Sequence, residues 1–150
     1  MKKISPSVMA GIAASVLMLV LVILHFIPYW HYQGESVSLA GYLWRPYEHT
    51  AFTTVFRSYF GKGFKVSLLF ALPLALTLVV NAVGTVLCTL MSTHRVVWLV
   101  PIASGILGLY AFLCHPAYRL SGLWLPHVIL YALVLALGIL GLLLAGKKKT

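Results

Sequence analysis

Histidine is the residue type in this sequence best placed to do chemistry. His25, His115 and His127 each stand at one end of a different apolar run. Two imidazoles on facing helices can ligate a haem, and three can hold a metal ion. Membrane redox proteins built from four helices use that logic. The spacing between ligands is not tight, because no HxxxH occurs. An imidazole at the end of an apolar run also has an ordinary role, as an amphipathic residue at the membrane boundary. The expectation is therefore no cofactor, with haem, quinone or metal at His25, His115 and His127 as the alternative.

Other reactive groups are scarce. Glu35 and Glu48 are the only acidic residues in 150. No phosphate-cradling glycine loop, HExxH or GxSxG is present, so no enzyme signature can be named. Cys88 and Cys114 lie inside apolar runs, near opposite ends of the bilayer, and form no CxxC. They read as small packing residues. Asn81 sits near the middle of an apolar run, where its amide needs a partner that hydrocarbon cannot supply. An interhelical hydrogen bond is the expected use. No Asp, Glu, Lys or Arg lies deep in any run, which argues against ion-coupled transport.

These residues must be positioned by elements suited to lipid. Hydrophobic residues make up 61% of the chain and charged residues 9%, against about 25% charged in a soluble domain. So few charges cannot clothe a water-facing surface. Four apolar runs, at about 8–27, 66–91, 96–113 and 123–145, are each long enough for a core about 30 Å thick. The first ends in His-Phe-Ile-Pro-Tyr-Trp, a poor signal-peptide cleavage site, and reads as a retained span. The expected fold is all-α: one domain over 1–150, a four-helix transmembrane bundle with an outer loop over 29–65.

Each span carries a stripe of small or polar residues at helical spacing. The stripes are Gly11, Ser15, Met18, Val22 and His25; Pro73, Thr77, Asn81, Gly84 and Cys88; Pro101, Ser104, Gly105, Gly108, Phe112 and His115; and His127, Tyr131, Val134, Gly138, Gly141 and Ala145. Small residues let helix backbones approach closely in lipid, so the stripes should face one another.

The net charge is +9. Basic residues stand at the ends and joints of the spans, not in a patch interleaved with aromatics, so nucleic acid is not an expected partner. With both termini cytoplasmic, Lys2, Lys3, Arg95, Lys147, Lys148 and Lys149 lie inside. Arg45, Arg57, Lys62, Lys65 and Arg119 lie outside, completing the 11. The terminal clusters abut their helices and should set the orientation. A bacterial plasma membrane is the expected location. Lys147–Lys149 read as a basic stop-transfer flank, although they also fit a dilysine retrieval signal.

The outer loop divides in two. From Ser36 to Trp44 the pattern alternates roughly, as in a short strand or hairpin. From Thr50 to Phe60, Phe52, Val55, Phe56, Tyr59 and Phe60 recur at helical spacing. This predicts an amphipathic helix along the membrane surface, capped by Thr50 and stopped at Gly61. Tyr42, Trp44, Arg45, Tyr47, Glu48 and Arg57 supply the residue types that dominate interface hot spots. They are the expected contacts for another membrane or extracytoplasmic protein. A homo-oligomer is also compatible with the sequence.

Pro28-Tyr29-Trp30, followed by Gly41-Tyr42-Leu43-Trp44, resembles the claudin-like tetraspan family, which has Pro-x-Trp and then Gly-Leu-Trp in its first outer loop. The resemblance covers these motifs and the layout of four spans. It implies cytoplasmic ends and a loop anchored by packing of Trp30 on Trp44, not a barrier activity. The family's paired loop cysteines have no counterpart after Trp44, and Tyr42 is an insertion in the motif. The function these features predict is a non-catalytic accessory, assembly or scaffold subunit. The alternative is a membrane redox or transport component with a site at the outer end of the bundle.

Overall fold

The computed structural model describes residues 4–32, 34–44, 66–114 and 122–146, and is mostly helical. The first helix, α1 (Pro6–Leu24), starts where the Ser5 hydroxyl accepts the Val8 amide at 3.3 Å and Pro6 occupies the first turn. Both devices suit a helix start, where amides lack intrahelical partners. After α1 the chain turns and forms an antiparallel hairpin of β1 (Trp30–Tyr32) and β2 (Glu35–Val37), with Trp30 opposite Val37. Gly34 in its turn has φ 84°, a conformation glycine adopts without steric cost. A short helix, α2 (Leu39–Trp44), follows, its first turn capped by Ser38 Oγ accepting the Gly41 amide at 2.9 Å.

This local structure corrects the reading of 36–44 as strand or hairpin. Only residues up to Val37 are extended, and their partner strand lies upstream. The turn at Gly34 folds the chain back earlier than the alternation suggested, and the Ser38 cap then starts a helix. Segment 50–60, for which an amphipathic helix was expected, lies outside the described residues.

The long helices are α3 (Val66–Leu90), α4 (Leu99–Cys114) and α5 (Trp124–Gly146), with a 3-10 turn, Arg95–Trp98, leading into α4. Pro73 lies inside α3. The stretches Pro6–Leu24, Arg95–Leu113 and Trp124–Ala145 are long and apolar enough to cross a membrane, and Ala75–Leu90 is a shorter apolar helix. α1 packs on α3 and α5, and α4 packs on the same two helices. Sequence neighbours run antiparallel. One end of the packed helices carries the hairpin, and the other carries the Arg95–Trp98 turn.

The stripes do face inward. Gly11, Ser15, Met18, Thr77, Asn81, Gly84, Cys88, Pro101, Ser104, Gly105, Gly108, Phe112, Tyr131, Val134, Gly138 and Gly141 are buried, as are His25 and His127. Val22, Pro73 and Ala145 are half-buried. Large apolar side chains such as Ile12, Val79, Ile106 and Leu133 point outward and are exposed. This is the inverse of a water-soluble bundle, and it follows from lipid being as apolar as leucine. Helices approach closely where a glycine meets a large side chain: Gly84 against Met18, Gly108 against Tyr131, and Gly141 against Trp98.

Candidate functional site

The interior of an apolar helix packing has few partners to offer a polar side chain. Each polar group buried there must find another, or lose the hydrogen bonds it made in water. At the hairpin end, five side chains solve this together. His25 follows the last residue of α1, Thr77 and Asn81 are one turn apart on α3, Ser104 is on α4, and Tyr131 is on α5. All five have no exposed surface.

Their hydrogen bonds form a chain with a direction. His25 Nδ1 lies 2.7 Å from the Leu21 carbonyl oxygen, which only accepts, so Nδ1 carries the proton. In the neutral ring Nε2 is then the acceptor, and the Thr77 hydroxyl at 3.2 Å donates to it. Tyr131 hydrogen-bonds Thr77 in turn. Asn81 Nδ2 donates to the Tyr131 hydroxyl at 3.3 Å, and Asn81 Oδ1 accepts from Ser104 Oγ. One network therefore joins α1, α3, α4 and α5. The amide of Asn81 makes interhelical bonds on both sides, the use expected for it.

A second group fastens the hairpin to the helices. Tyr29, buried at 6% exposure, donates its hydroxyl to His127 Nε2 at 2.9 Å. His127 Nδ1 donates to the Leu123 carbonyl at 2.8 Å. Burial, and then the nearby Tyr131, pushes the Tyr29 hydroxyl well above the usual phenol range, so it stays a donor. Phe112 stacks on the His127 ring with centroids 4.6 Å apart. Backbone bonds complete the joint: Ala40 N to His25 O at 2.7 Å, and Gly122 N to Tyr29 O at 3.4 Å. The Trp124 indole donates to the Phe112 carbonyl at 2.6 Å, tying the end of α4 to the start of α5.

Toward the other end the polar groups are smaller. Ser15 on α1 donates to the Thr85 carbonyl at 2.8 Å and pairs with Thr89 at 2.6 Å. The Trp98 indole donates to the Ser92 carbonyl at 2.9 Å. Cys88 is a buried free thiol.

His25 and His127, expected as the alternative cofactor ligands, are thus both buried at the hairpin end, and both nitrogens of each ring have protein partners. A metal or haem iron would have to displace Thr77 from His25, or Tyr29 from His127. Among the described residues no group of three or more His, Cys, Asp or Glu stands together. His115 lies outside the described residues, as do Arg45, Tyr47, Glu48 and Arg57. Tyr42 and Trp44 belong to α2. Thr77, Ser104 and Tyr131 were legible as stripe residues but not as each other's partners. Tyr29 entered the sequence reading only as the middle residue of Pro28-Tyr29-Trp30.

Tyr131 is the node of the network, and its hydroxyl can be removed with little change in shape. Tyr131→Phe leaves Asn81 Nδ2 without this acceptor and Thr77 without this partner. A buried group stranded in this way costs about 1–3 kcal/mol. The expected outcome is a clear fall in thermal midpoint in detergent, with Tyr131→Phe less stable than Phe112→Leu. Equal or greater stability of Tyr131→Phe would show that the hydroxyl holds nothing.

No family model, no curated protein and no solved structure matches the chain.

Proposed function

We propose that this is a non-catalytic integral membrane protein, an accessory, assembly or scaffold subunit that binds a partner protein through its extracytoplasmic loop. In this reading all four long helices cross a bacterial plasma membrane as a tetraspan bundle, and both termini are cytoplasmic. The observation that carries it is the joint at the hairpin end. The chain commits buried Tyr29 and His127 to holding a hairpin that would otherwise be too small to persist. A loop that served only to connect α1 to α3 would need no such fastening. The interior network serves the same end, because it spends its polar groups on joining helices.

On this reading Tyr42, Trp44, Arg45, Tyr47, Glu48 and Arg57 contact the partner. Replacing Arg45, Tyr47, Glu48 and Arg57 by Ala should abolish partner copurification in mild detergent while the protein stays monodisperse. Undiminished copurification would refute the loop as the binding surface.

The convergence of His25 and His127 favours a second reading, a redox or transport component with a small-molecule or haem site at the outer end of the bundle. An absorbance scan of purified protein separates the haem case: a Soret band lost in His25→Ala supports it, and no Soret band rejects it.

A further inference from the structure

The two ends of the packed helices differ in charge. Gly11 of α1 lies against Cys88 and Ser92, and Gly141 of α5 lies against Trp98. The start of α1, the α3–α4 turn and the end of α5 therefore share one end. Chain attached to that end carries Lys2 and Lys3 before α1, Arg95 in the turn, and Lys147, Lys148 and Lys149 directly after α5. His94 and Arg95 are exposed. Both acidic side chains of the protein, Glu35 and Glu48, belong to the segment between α1 and α3, which leaves and rejoins the helices at the opposite end. In the sequence, six strong cations thus stand at or directly beside helix ends on that side, and both acidic residues fall in the segment between α1 and α3. Like charges within a Debye length of about 10 Å repel unless counter-charge comes from elsewhere.

The surroundings of these cations identify that counter-charge. At that end the helices expose Leu90 and Val96 at 75% and Leu143 at 61%. Exposed Arg95 next to an apolar wall, with lysines flanking α1 and α5 in the sequence, matches a molecule with a negative head and hydrocarbon tails. We propose that this end selectively retains anionic phospholipids of its leaflet. Their headgroup phosphates pair with Arg95 and the flanking lysines, and their acyl chains lie along Leu90, Val96 and Leu143. A basic cluster beside a membrane-crossing helix is the usual sequence form of such recognition. The proposal rests on the membrane-spanning reading and is independent of the partner at the loop.

The test uses the full chain reconstituted with equal amounts of phosphatidylglycerol and phosphatidylcholine, followed by detergent exchange and quantification of the lipid that stays bound. Phosphatidylglycerol should be retained over phosphatidylcholine by roughly ten-fold at low salt, and the preference should shrink toward parity at about 1 M salt. The combined variant Arg95→Gln, Lys147→Gln, Lys148→Gln, Lys149→Gln should lose it. Lys62→Gln with Lys65→Gln, which precede α3 in the sequence, should keep it. Millimolar inorganic phosphate should not displace the lipid, because it lacks the tails. Equal retention of the two lipids overturns the proposal. So does a preference that survives the four-fold variant, that is lost equally in the Lys62 and Lys65 variant, or that free phosphate abolishes. Recovery of the wild-type chain in the soluble fraction with neither lipid bound would instead overturn the spanning reading beneath it.

Discussion

Replacing Gly108 by leucine is expected to prevent the helices from closing. The α4 backbone at Gly108 runs against the Tyr131 ring, so closely that a Cβ would overlap three ring carbons. Tyr131 has no exposed surface into which to retreat. The leucine must either part α4 from α5 or expel the ring. Overpacking alone costs about 1–3 kcal/mol. Displacing the ring also strands Asn81 Nδ2, and a buried group so stranded costs about 1–3 kcal/mol more. The sum is a large part of the about 5–15 kcal/mol that holds an ordinary domain together. Gly108→Leu should therefore elute as aggregate on size exclusion, or melt at least about 10 °C below the parent. Ala136→Leu, at an exposed position of α5, supplies the same side chain facing outward and should behave like the parent. If the two variants are equally stable, α4 and α5 do not meet at Gly108.

The second large effect concerns the hairpin. His127→Phe keeps an aromatic ring beside Phe112 but removes the acceptor for Tyr29. The Tyr29 hydroxyl is then buried without that partner, at a cost of about 1–3 kcal/mol. Since about 1.4 kcal/mol is a factor of ten in an equilibrium, amides in Trp30–Val37 should exchange with deuterium about ten-fold faster or more. Amides in the middle of α5 should be little changed. The informative variant is the double one. Adding Tyr29→Phe removes the stranded hydroxyl, and deleting both partners of a buried bond costs far less than deleting one. Exchange in the hairpin should then fall back toward the parent rate. If the double variant exchanges as fast as His127→Phe, the hydrogen bond is not the fastening, and ring packing alone must be.

Both effects concern residues whose types were visible in the sequence and whose partners were not. Gly108 stood on a stripe of small residues at helical spacing, and that spacing is a local property of the backbone. It needs only the helical repeat and the avoidance of lipid by polar groups to become an inward face. The lengths of the apolar runs are equally local. For these reasons composition and periodicity by themselves determined the mostly helical architecture, the boundaries of the long helices to within a few residues, and the face each buries. They also determined that Asn81 would need a partner.

Tertiary structure decided what lies opposite. The bond between Tyr29 and His127 joins residues 98 apart, that between His25 and Thr77 spans 52, and that between Asn81 and Tyr131 spans 50. No local period encodes such pairings, because they depend on the relative rotation and height of two packed helices. The same cause placed Thr77 against His25 Nε2 and Tyr29 against His127 Nε2. It also settled the short segment after α1. There a rough alternation was compatible with strand through Trp44, and a glycine turn and a serine cap, each acting within a few residues, divided it into hairpin and helix.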